Sequence, residues 1–223
     1  MKNINQEELN KILKEHELWL KGEGGKRANL RRADLSNANL NHTNLMHADL
    51  KYADLSYANL RGADLRGANL RRANLEDADL SYSNLSNSNL RDANLNSANL
   101  SSANLKDIKT NIHTIGYNLA CPETGSFIGY KKASGCLIEL LILEDAKRSS
   151  ATTVKCRCNK AKVLDIENIE TGKKVKEIRS NYDSNFIYKV GEIVHVDNFD
   201  NNRWNECATG IHFFINKENA INY

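Results

Sequence analysis

Proline and cysteine are absent from the first 120 residues of this 223-residue chain. The single proline is Pro122. One cysteine, Cys121, directly precedes this proline. The other four follow it, at Cys136, Cys156, Cys158 and Cys207. An odd number of cysteines, confined to one half, argues against the disulfide framework of small secreted domains. We therefore expect free thiols and a cytoplasmic location.

Long apolar runs are also missing. The N-terminal segment MKNINQEELNKILKEH has no apolar signal core, and no segment approaches the roughly 20 apolar residues that cross a membrane. Aromatic residues make up only 7% of the chain, and the formal net charge is +3. Basic and acidic residues are thus nearly balanced, and the chain is not strongly charged. We expect no membrane partner.

The first half instead contains a five-residue repeat. A leucine occurs at every fifth position from Leu30 to Leu105, sixteen times in succession. The residue two places before each leucine is Ala, except at Thr43, Ser83 and Ser88. The residue directly before each leucine is always Asn or Asp. A period of five fits neither the helix period of 3.6 nor the strand period of 2. It predicts units that each form one short side of a coil, with leucine and the small residue inside.

These tandem A(D/N)LXX units resemble the pentapeptide-repeat family. The resemblance implies a right-handed quadrilateral β-helix with four units in each coil, so that sixteen units make four coils. It covers about a third of the chain and is specific for the fold. It transfers no function, because one fold hosts many functions. We predict a mainly β protein with an N-terminal capping helix and a C-terminal, mostly β (α+β) globular domain.

Three regions follow from these changes in pattern. Residues 1–25 contain an amphipathic pattern between Asn5 and Leu20, with Asn5 and Glu8 as a capping pair and a glycine-rich turn after it. We expect this helix to cover the end of the repeat, since solenoids need capped ends; the alternative is a partner-binding role for Trp19. Residues 26–107 form the repeat. Residues 108–223 form the globular domain, and Ile108 is expected to fall off the repeat register.

The globular domain is expected to be built from strands. Ser126–Ala133 and Cys136–Leu143 predict a hairpin around a Ser-Gly turn. Further strands are expected at 160–169, 185–190, 192–196 and 210–215, with short helical segments at 144–150 and 217–223. The stretches CPETGSFIGYKKA, AKRSSATTVKCRC and RWNECATGIHFF are similar to an uncharacterised domain appended to pentapeptide repeats in phage and bacterial genomes. That resemblance supports the domain boundary and supplies no activity.

Candidate binding residues lie on the outside of the repeat. If four units form a coil, residues twenty apart stack on one face. The resulting basic column is Arg31, Lys51, Arg71 and Arg91, and beside it stand Tyr52 and Arg72. The column is either a solvated face whose like charges are screened or a contact for an acidic partner surface or a phosphate backbone.

Mimicry of duplex DNA, known for some relatives that bind topoisomerase, requires a strongly anionic surface. Residues 26–105 carry ten basic and eight acidic side chains, a formal charge of +2. We therefore do not extend that role to this chain. Direct nucleic-acid binding is also disfavoured, because the basic excess is small and no nucleic-acid motif is present.

The globular domain offers three sets of reactive residues. Cys156 and Cys158, with Cys207 and His212, are soft ligands that zinc could use, but no CxxC pair is present, so we expect buried thiols and no metal. Cys207 and His212 could alternatively act as nucleophile and base. The third set is a basic cluster around Arg148 and Arg157 that could hold a phosphate, although no phosphate-binding glycine pattern accompanies it.

Two functions remain in competition. The first is a non-enzymatic interaction protein without cofactor. Its repeat is a scaffold or contact face, and its globular domain recognises a host or self protein, with a homodimer as one form. The second is an enzyme or a nucleotide or small-molecule binder that uses the Cys, His or Arg residues above. A pocket holding several of those side chains would favour the second function, and an exposed aromatic-bearing surface would favour the first.

Overall fold

The computed structural model describes residues 1–223, which divide into two compact units, Met1–Asn118 and Leu119–Tyr223. The chain is mainly β and contains two helices. Neither helix has the length and apolarity that a membrane crossing requires.

The predicted N-terminal helix is present as α1, Gln6–Lys21. Its N-cap is Asn5, whose Oδ1 accepts the Glu8 backbone N–H at 2.8 Å, which satisfies one of the free donors of the first turn. Its C-cap is Gly22, in the left-handed conformation at φ 72°. The helix and its capping pair are therefore confirmed.

Helix α1 contacts the start of the repeat through backbone and side-chain hydrogen bonds. The buried His16 accepts the Ala28 backbone N–H at Nδ1, at 3.1 Å. Strand β1, Lys2–Asn3, pairs in parallel with β2, Ala33–Asp34. Gly25 passes so close to the helix that a Cβ there would lie 2.2 Å from the Glu15 carbonyl oxygen.

Within the repeat, residues twenty apart pair in parallel. The bridges run without interruption from Asn29–Asp49 to Asn84–Asn104, so each unit pairs with the fourth unit after it. Leucine N–H groups donate to the carbonyl nineteen residues later, as from Leu50 to Asn69 at 2.9 Å. The sheet-like pairing of successive coils that the five-residue period predicts is confirmed.

The interior of the repeat is leucine packed against small residues. Every repeat leucine from Leu30 to Leu100 is buried, and most of the residues two places earlier are buried too. The last leucine, Leu105, is half-exposed, so the expectation that all sixteen are buried is wrong at this end. Ser83 fits the interior because its hydroxyl donates to the Leu80 carbonyl at 2.6 Å.

The invariant Asn or Asp before each leucine has a hydrogen-bonding role. All sixteen accept, at Oδ1, the backbone N–H two residues later. Short side chains with an acceptor at this distance are the ones that form such turns. The residue two places after each leucine is left-handed in all sixteen units, at φ values between 55° and 65°. Each unit therefore ends in a side-chain-supported turn.

The coil pairing continues past Leu105. Lys109 pairs with Asn89, which places Ile108 at the position of the small inward residue, so the expectation that Ile108 is off register is wrong. Ile115 pairs with Asn94, twenty-one residues away, which marks one inserted residue. The first unit accordingly reaches Asn118, beyond the expected boundary at residue 107.

The second unit is built around a seven-stranded antiparallel sheet. The remaining strands in chain order are β3 Phe127–Ala133, β4 Cys136–Ile142, β5 Arg148–Ser150, β6 Lys155–Cys158, β7 Lys160–Asn168, β8 Glu177–Arg179, β9 Ile187–Lys189, β10 Ile193–His195 and β11 Ile211–Phe214. The sheet order is β10-β7-β4-β3-β11-β6-β5, while β8 and β9 form a separate hairpin. Helix α2, Lys217–Asn222, follows β11.

Most predicted strands of this unit are confirmed, including the β3–β4 hairpin. The helix predicted at 144–150 is wrong, because that segment turns after Leu143 and then pairs as β5 with β6. One face of the sheet carries the main apolar core, which includes Ile138, Leu140 and Phe213.

Candidate functional site

Two members of the basic column predicted on the repeat, Arg31 and Lys51, lie around one tyrosine, Tyr52. The corner turns hold Tyr52 between neighbouring coils: its N–H donates to the Arg71 carbonyl, and the Arg32 N–H donates to the Lys51 carbonyl. Four cationic side chains lie within 6 Å of the Tyr52 ring centroid, a range in which cations are attracted to the ring. They are Arg31 at 5.3 Å, Arg32 at 5.5 Å, Lys51 at 5.2 Å and Arg72 at 5.6 Å. We call these five residues the Tyr52 cluster.

A hydrogen bond fixes the tyrosine in the cluster. Arg72 Nη1 donates to the Tyr52 hydroxyl oxygen at 2.9 Å. That bond, together with the charges of Arg72, Lys51 and Arg31, lowers the pKa of Tyr52 below its ordinary value. The ring is thus held at a set position while part of it stays open to solvent.

Part of the positive charge is neutralised at the next coil. The Nε groups of Arg71 and Arg72 donate to Asp92 Oδ2 at 3.1 and 3.3 Å. Asn111 donates to the other oxygen of Asp92, and these bonds lower the pKa of Asp92 to about 2. By contrast, Arg31, Lys51 and Arg91 have no carboxylate within ion-pair distance. Unpaired positive charge therefore remains at both ends of the column, on Arg31 and Lys51 at one end and on Arg91 at the other.

Arg148 and Arg157, the predicted phosphate ligands, are committed to backbone carbonyls. All five N–H groups of the Arg148 guanidinium point to carbonyl oxygens. Arg157 is only 2% exposed and donates to the carbonyls of Asp200, Asn202 and Thr209. Both side chains hold loops in place, and this use of their donors opposes the ligand role predicted for them.

The cysteines of the second unit are all free. Cys156 and Cys158 are buried in the core, where burial raises the pKa of Cys158 to about 12. The pKa of Cys156 is raised far above its usual range. The main cause is a hydrogen bond with the Cys121 thiol, and burial of the Cys156 thiol is the second cause. Such thiols stay protonated and are weak nucleophiles. The structure holds no group of three or more His, Cys, Asp or Glu side chains arranged for a metal ion.

Cys207 and His212 lie elsewhere, in a cleft of about 840 Å³ within the second unit. The cleft lies beside the junction of β3 and β11, which pair only at Tyr130 and Phe214, whereas β3 pairs with β4 along its whole length. His212 Nε2 contacts the Ala208 carbonyl oxygen at 2.9 Å, and burial lowers the pKa of His212. The structure brings this predicted pair into one cleft and separates it from Cys156 and Cys158.

Three lysines that the sequence did not mark as a group also line this cleft: Lys131, Lys132 and Lys155. Burial lowers the pKa of Lys131 to about 8. Its ammonium group has a single described contact, the Tyr188 ring at 5.9 Å from Nζ to the centroid. No carboxylate lies within ion-pair distance of it.

Lys155, on β6, is almost fully buried but has partners. Its Nζ donates to the Tyr223 hydroxyl at 3.0 Å and lies 3.9 Å from Glu206. Burial acts to lower the pKa of Lys155, but the bond to Tyr223 and the charge of Glu206 outweigh it, and the pKa is raised. The cleft lysines therefore differ: Lys155 has a carboxylate nearby, Lys132 donates to the Ile221 carbonyl, and Lys131 has neither kind of partner.

Comparison with known families divides the chain in the same way. Residues 28–67 and 68–107 match the family of pentapeptide repeats, in eight copies. Residues 117–220 match a family of unknown function, DUF5758. A search of curated proteins finds no match.

Solved structures that resemble the chain are pentapeptide repeat proteins. Rfr23 of the cyanobacterium Cyanothece 51142 is 45% identical with a TM-score of 0.39, over 40% of this chain and 60% of that one. A pentapeptide repeat protein of Nostoc PCC 7120 is 37% identical with a TM-score of 0.28, over 45% of this chain and 80% of that one. HetL of Nostoc sp. strain PCC 7120, involved in heterocyst differentiation regulation, is 36% identical with a TM-score of 0.17, over 38% of this chain and 52% of that one.

The chain spans 60% of the length of Rfr23, the first of these structures. The repeat motif, its family match and the 37% identity over most of the Nostoc PCC 7120 protein agree with one another. The chain therefore belongs to the pentapeptide repeat family, and residues 117–220 join to its repeat a domain of unknown function.

Proposed function

We propose that this protein is a non-enzymatic interaction protein, and that its repeat is a right-handed quadrilateral β-helix of four coils closed at one end by α1. The twenty-residue pairing supports four units in each coil. The sixteen left-handed corner residues support one turn per unit. The role of α1 as a cap is supported by the hydrogen bond from Ala28 to His16 and by the pairing of β1 with β2.

The Tyr52 cluster is the observation that carries the proposed contact role. Its residues stand on a hydrogen-bonded backbone and its ring is held by Arg72, so little backbone freedom is lost when a partner binds. Tyrosine and arginine are the residue types that contribute most to protein interfaces. Because Arg31 and Lys51 lack carboxylate partners, the matching surface is an acidic patch on a protein.

Protein is favoured over nucleic acid as the partner. Affinity for a phosphate backbone depends on the number of phosphates neutralised, and the repeat has a net formal charge of only +2 across residues 26–105. We infer that the second unit adds recognition of its own, with a host protein or a second copy of the chain as partner and the cytoplasm as location. The cleft containing Cys207 and His212 meets one criterion for the small-molecule alternative, namely a pocket that holds several of the predicted side chains.

The contact role is tested by charge reversal in the full-length chain. We expect a protein captured from cell lysate by wild type to be lost by the double variant Arg31→Glu, Arg72→Glu. The matched control is Arg27→Glu, Lys106→Glu, which makes the same charge change outside the cluster. Quantitative mass spectrometry of the bound fraction, with and without nuclease, measures the result.

Capture that persists in the cluster variant would remove the cluster as the contact surface. Capture that nuclease abolishes would show nucleic acid as the partner and contradict the protein proposal. If the bound species were the chain itself, and the cluster variant did not bind it, the contact would join copies of this protein.

A further inference from the structure

The cleft of the second unit contains a cation without a counterion. Lys131 is half-buried, and charges that are partly removed from water are normally paired in proteins, because losing water without a partner is unfavourable. The Lys131 ammonium faces the Tyr188 ring, and its neighbouring charges are Lys155 and the buried Cys158 thiol. Neither neighbour offers a negative charge, because Cys158 has its pKa raised to about 12 by burial.

The carboxylates around the cleft do not fill this role. Asp197 is 96% exposed and pairs with His195. The Glu206 carboxylate lies 3.9 Å from the Lys155 ammonium and accepts a hydrogen bond from the Thr153 hydroxyl. Asp183 is an exposed rim residue. The positive charge at Lys131 is therefore left uncompensated by the protein.

The rest of the cleft is suited to a small organic molecule. Its volume of about 840 Å³ falls within the range of pockets that hold small ligands. Aromatic side chains supply much of its wall, among them Phe186, Tyr188 and Phe214. Phe186 and Tyr188 meet edge to face, with centroids 5.2 Å apart, which fixes their orientation.

We propose that this cleft binds a small organic anion, with its carboxylate or phosphate group at Lys131 and an apolar, planar body against the Tyr188 side of the wall. The anion supplies the counterion that the fold leaves out, and the aromatic wall removes the body from water. This site is independent of the Tyr52 cluster and goes beyond the protein-contact role proposed above.

Calorimetric titration of the full-length chain with three probes tests the proposal. The probes are benzoate, phenyl phosphate and the neutral benzyl alcohol. We expect at least one of the two anions to bind at a single site with a dissociation constant below ~1 mM, and benzyl alcohol to bind at least tenfold more weakly. Whichever anion binds more tightly identifies carboxylate or phosphate as the preferred group.

Two variants separate charge from shape. Lys131→Met should weaken anion binding at least tenfold. The control Lys162→Met, at an exposed residue of β7 outside the cleft, should change it less than twofold. No saturable binding of either anion at millimolar concentration would overturn the proposal, as would equal binding by Lys131→Met or by benzyl alcohol.

The pH dependence gives a readout that a purely structural lysine would not produce. With the pKa of Lys131 lowered to about 8, wild-type affinity should fall about tenfold from pH 7 to pH 9, as the ammonium loses its proton. Lys131→Arg keeps its charge over this range and should lose less than twofold. A wild-type affinity that did not fall would contradict the assignment of Lys131 as the anion's partner.

Discussion

At the scale of single residues, the repeat depends on hydrogen bonding as well as on packing. Leucine and alanine fill the interior, as the five-residue period predicts. The invariant Asn or Asp has no packing role, and its function becomes clear only when Oδ1 is seen accepting the N–H two residues later. The left-handed corner residue is not predictable from residue type, because Arg32, Tyr52 and Tyr82 occupy a conformation that usually favours glycine or asparagine.

The turn acceptor can be tested at Asn59, which is exposed. Asn59→Ala removes the acceptor for the Arg61 N–H, which lies 3.1 Å from Oδ1. We expect a loss of about 1 kcal/mol in the free energy of unfolding, measured by denaturant titration followed by circular dichroism. Asn59→Asp keeps the acceptor and should stay within about 0.5 kcal/mol of wild type. Equal stability of the alanine and aspartate variants would show that the acceptor contributes nothing.

Lys131 illustrates what single-residue reasoning cannot reach. Lys131 and Lys132 are adjacent in a predicted strand, and both line the cleft although alternation points them to opposite faces of the strand. The cleft lies where β11 pairs with β3 at one residue pair only. The sequence carries no signal for that local separation, and the cleft was therefore missed.

At the scale of elements, local signals were sufficient where no distant contact competed with them. Helix α1 begins and ends at its predicted caps, and the β3–β4 hairpin turns at Ser134 and Gly135. The segment at 144–150 has helix-forming residues but becomes a turn and β5. Its Arg148 side chain binds carbonyls from distant Pro122 and Gly125, and its backbone pairs with β6. Those contacts are long-range, so the local propensity was overridden.

The docking of α1 on the repeat is tested by two neighbouring glycines. Gly24 and Gly25 both have positive φ. Alanine at either position would therefore be left-handed, which lowers the free energy of unfolding by about 1–2 kcal/mol. At Gly24 a Cβ meets nothing within 4 Å, whereas at Gly25 it would lie 2.2 Å from the Glu15 carbonyl oxygen. We expect Gly25→Ala to be less stable than Gly24→Ala by at least about 1–2 kcal/mol and to speed hydrogen exchange in α1.

Both variants carry the cost of a left-handed alanine, so this cost cancels when their free energies of unfolding are compared. If Gly24→Ala and Gly25→Ala unfolded at the same denaturant concentration and α1 exchanged equally in both, the close approach of Gly25 to the helix would be incorrect. The role of α1 as a cap would then lose its strongest steric support.

At the scale of the whole molecule, the two units carry different kinds of surface. The first unit presents fixed, regularly spaced side chains, and stacking at twenty-residue intervals allowed the basic column to be predicted from the sequence. What the sequence left out was the organisation of that column: Tyr52 at its centre, and Asp92 neutralising Arg71 and Arg72 while Arg31 and Lys51 stay unpaired. Those features depend on side-chain reach between coils, which periodicity alone does not specify.

Site-specific photo-cross-linking in cells tests the proposed contact face most directly. A benzophenone amino acid replaces Tyr52 in one version of the full-length chain and Tyr57 in another. Tyr57 is a matched control, because it has the same repeat position and a left-handed backbone, but its neighbouring charge is the carboxylate of Asp77. We predict a discrete protein adduct from position 52 and none from position 57. Adducts of equal yield and identity at both positions, or none at position 52, would contradict the claim that the Tyr52 cluster is a contact surface.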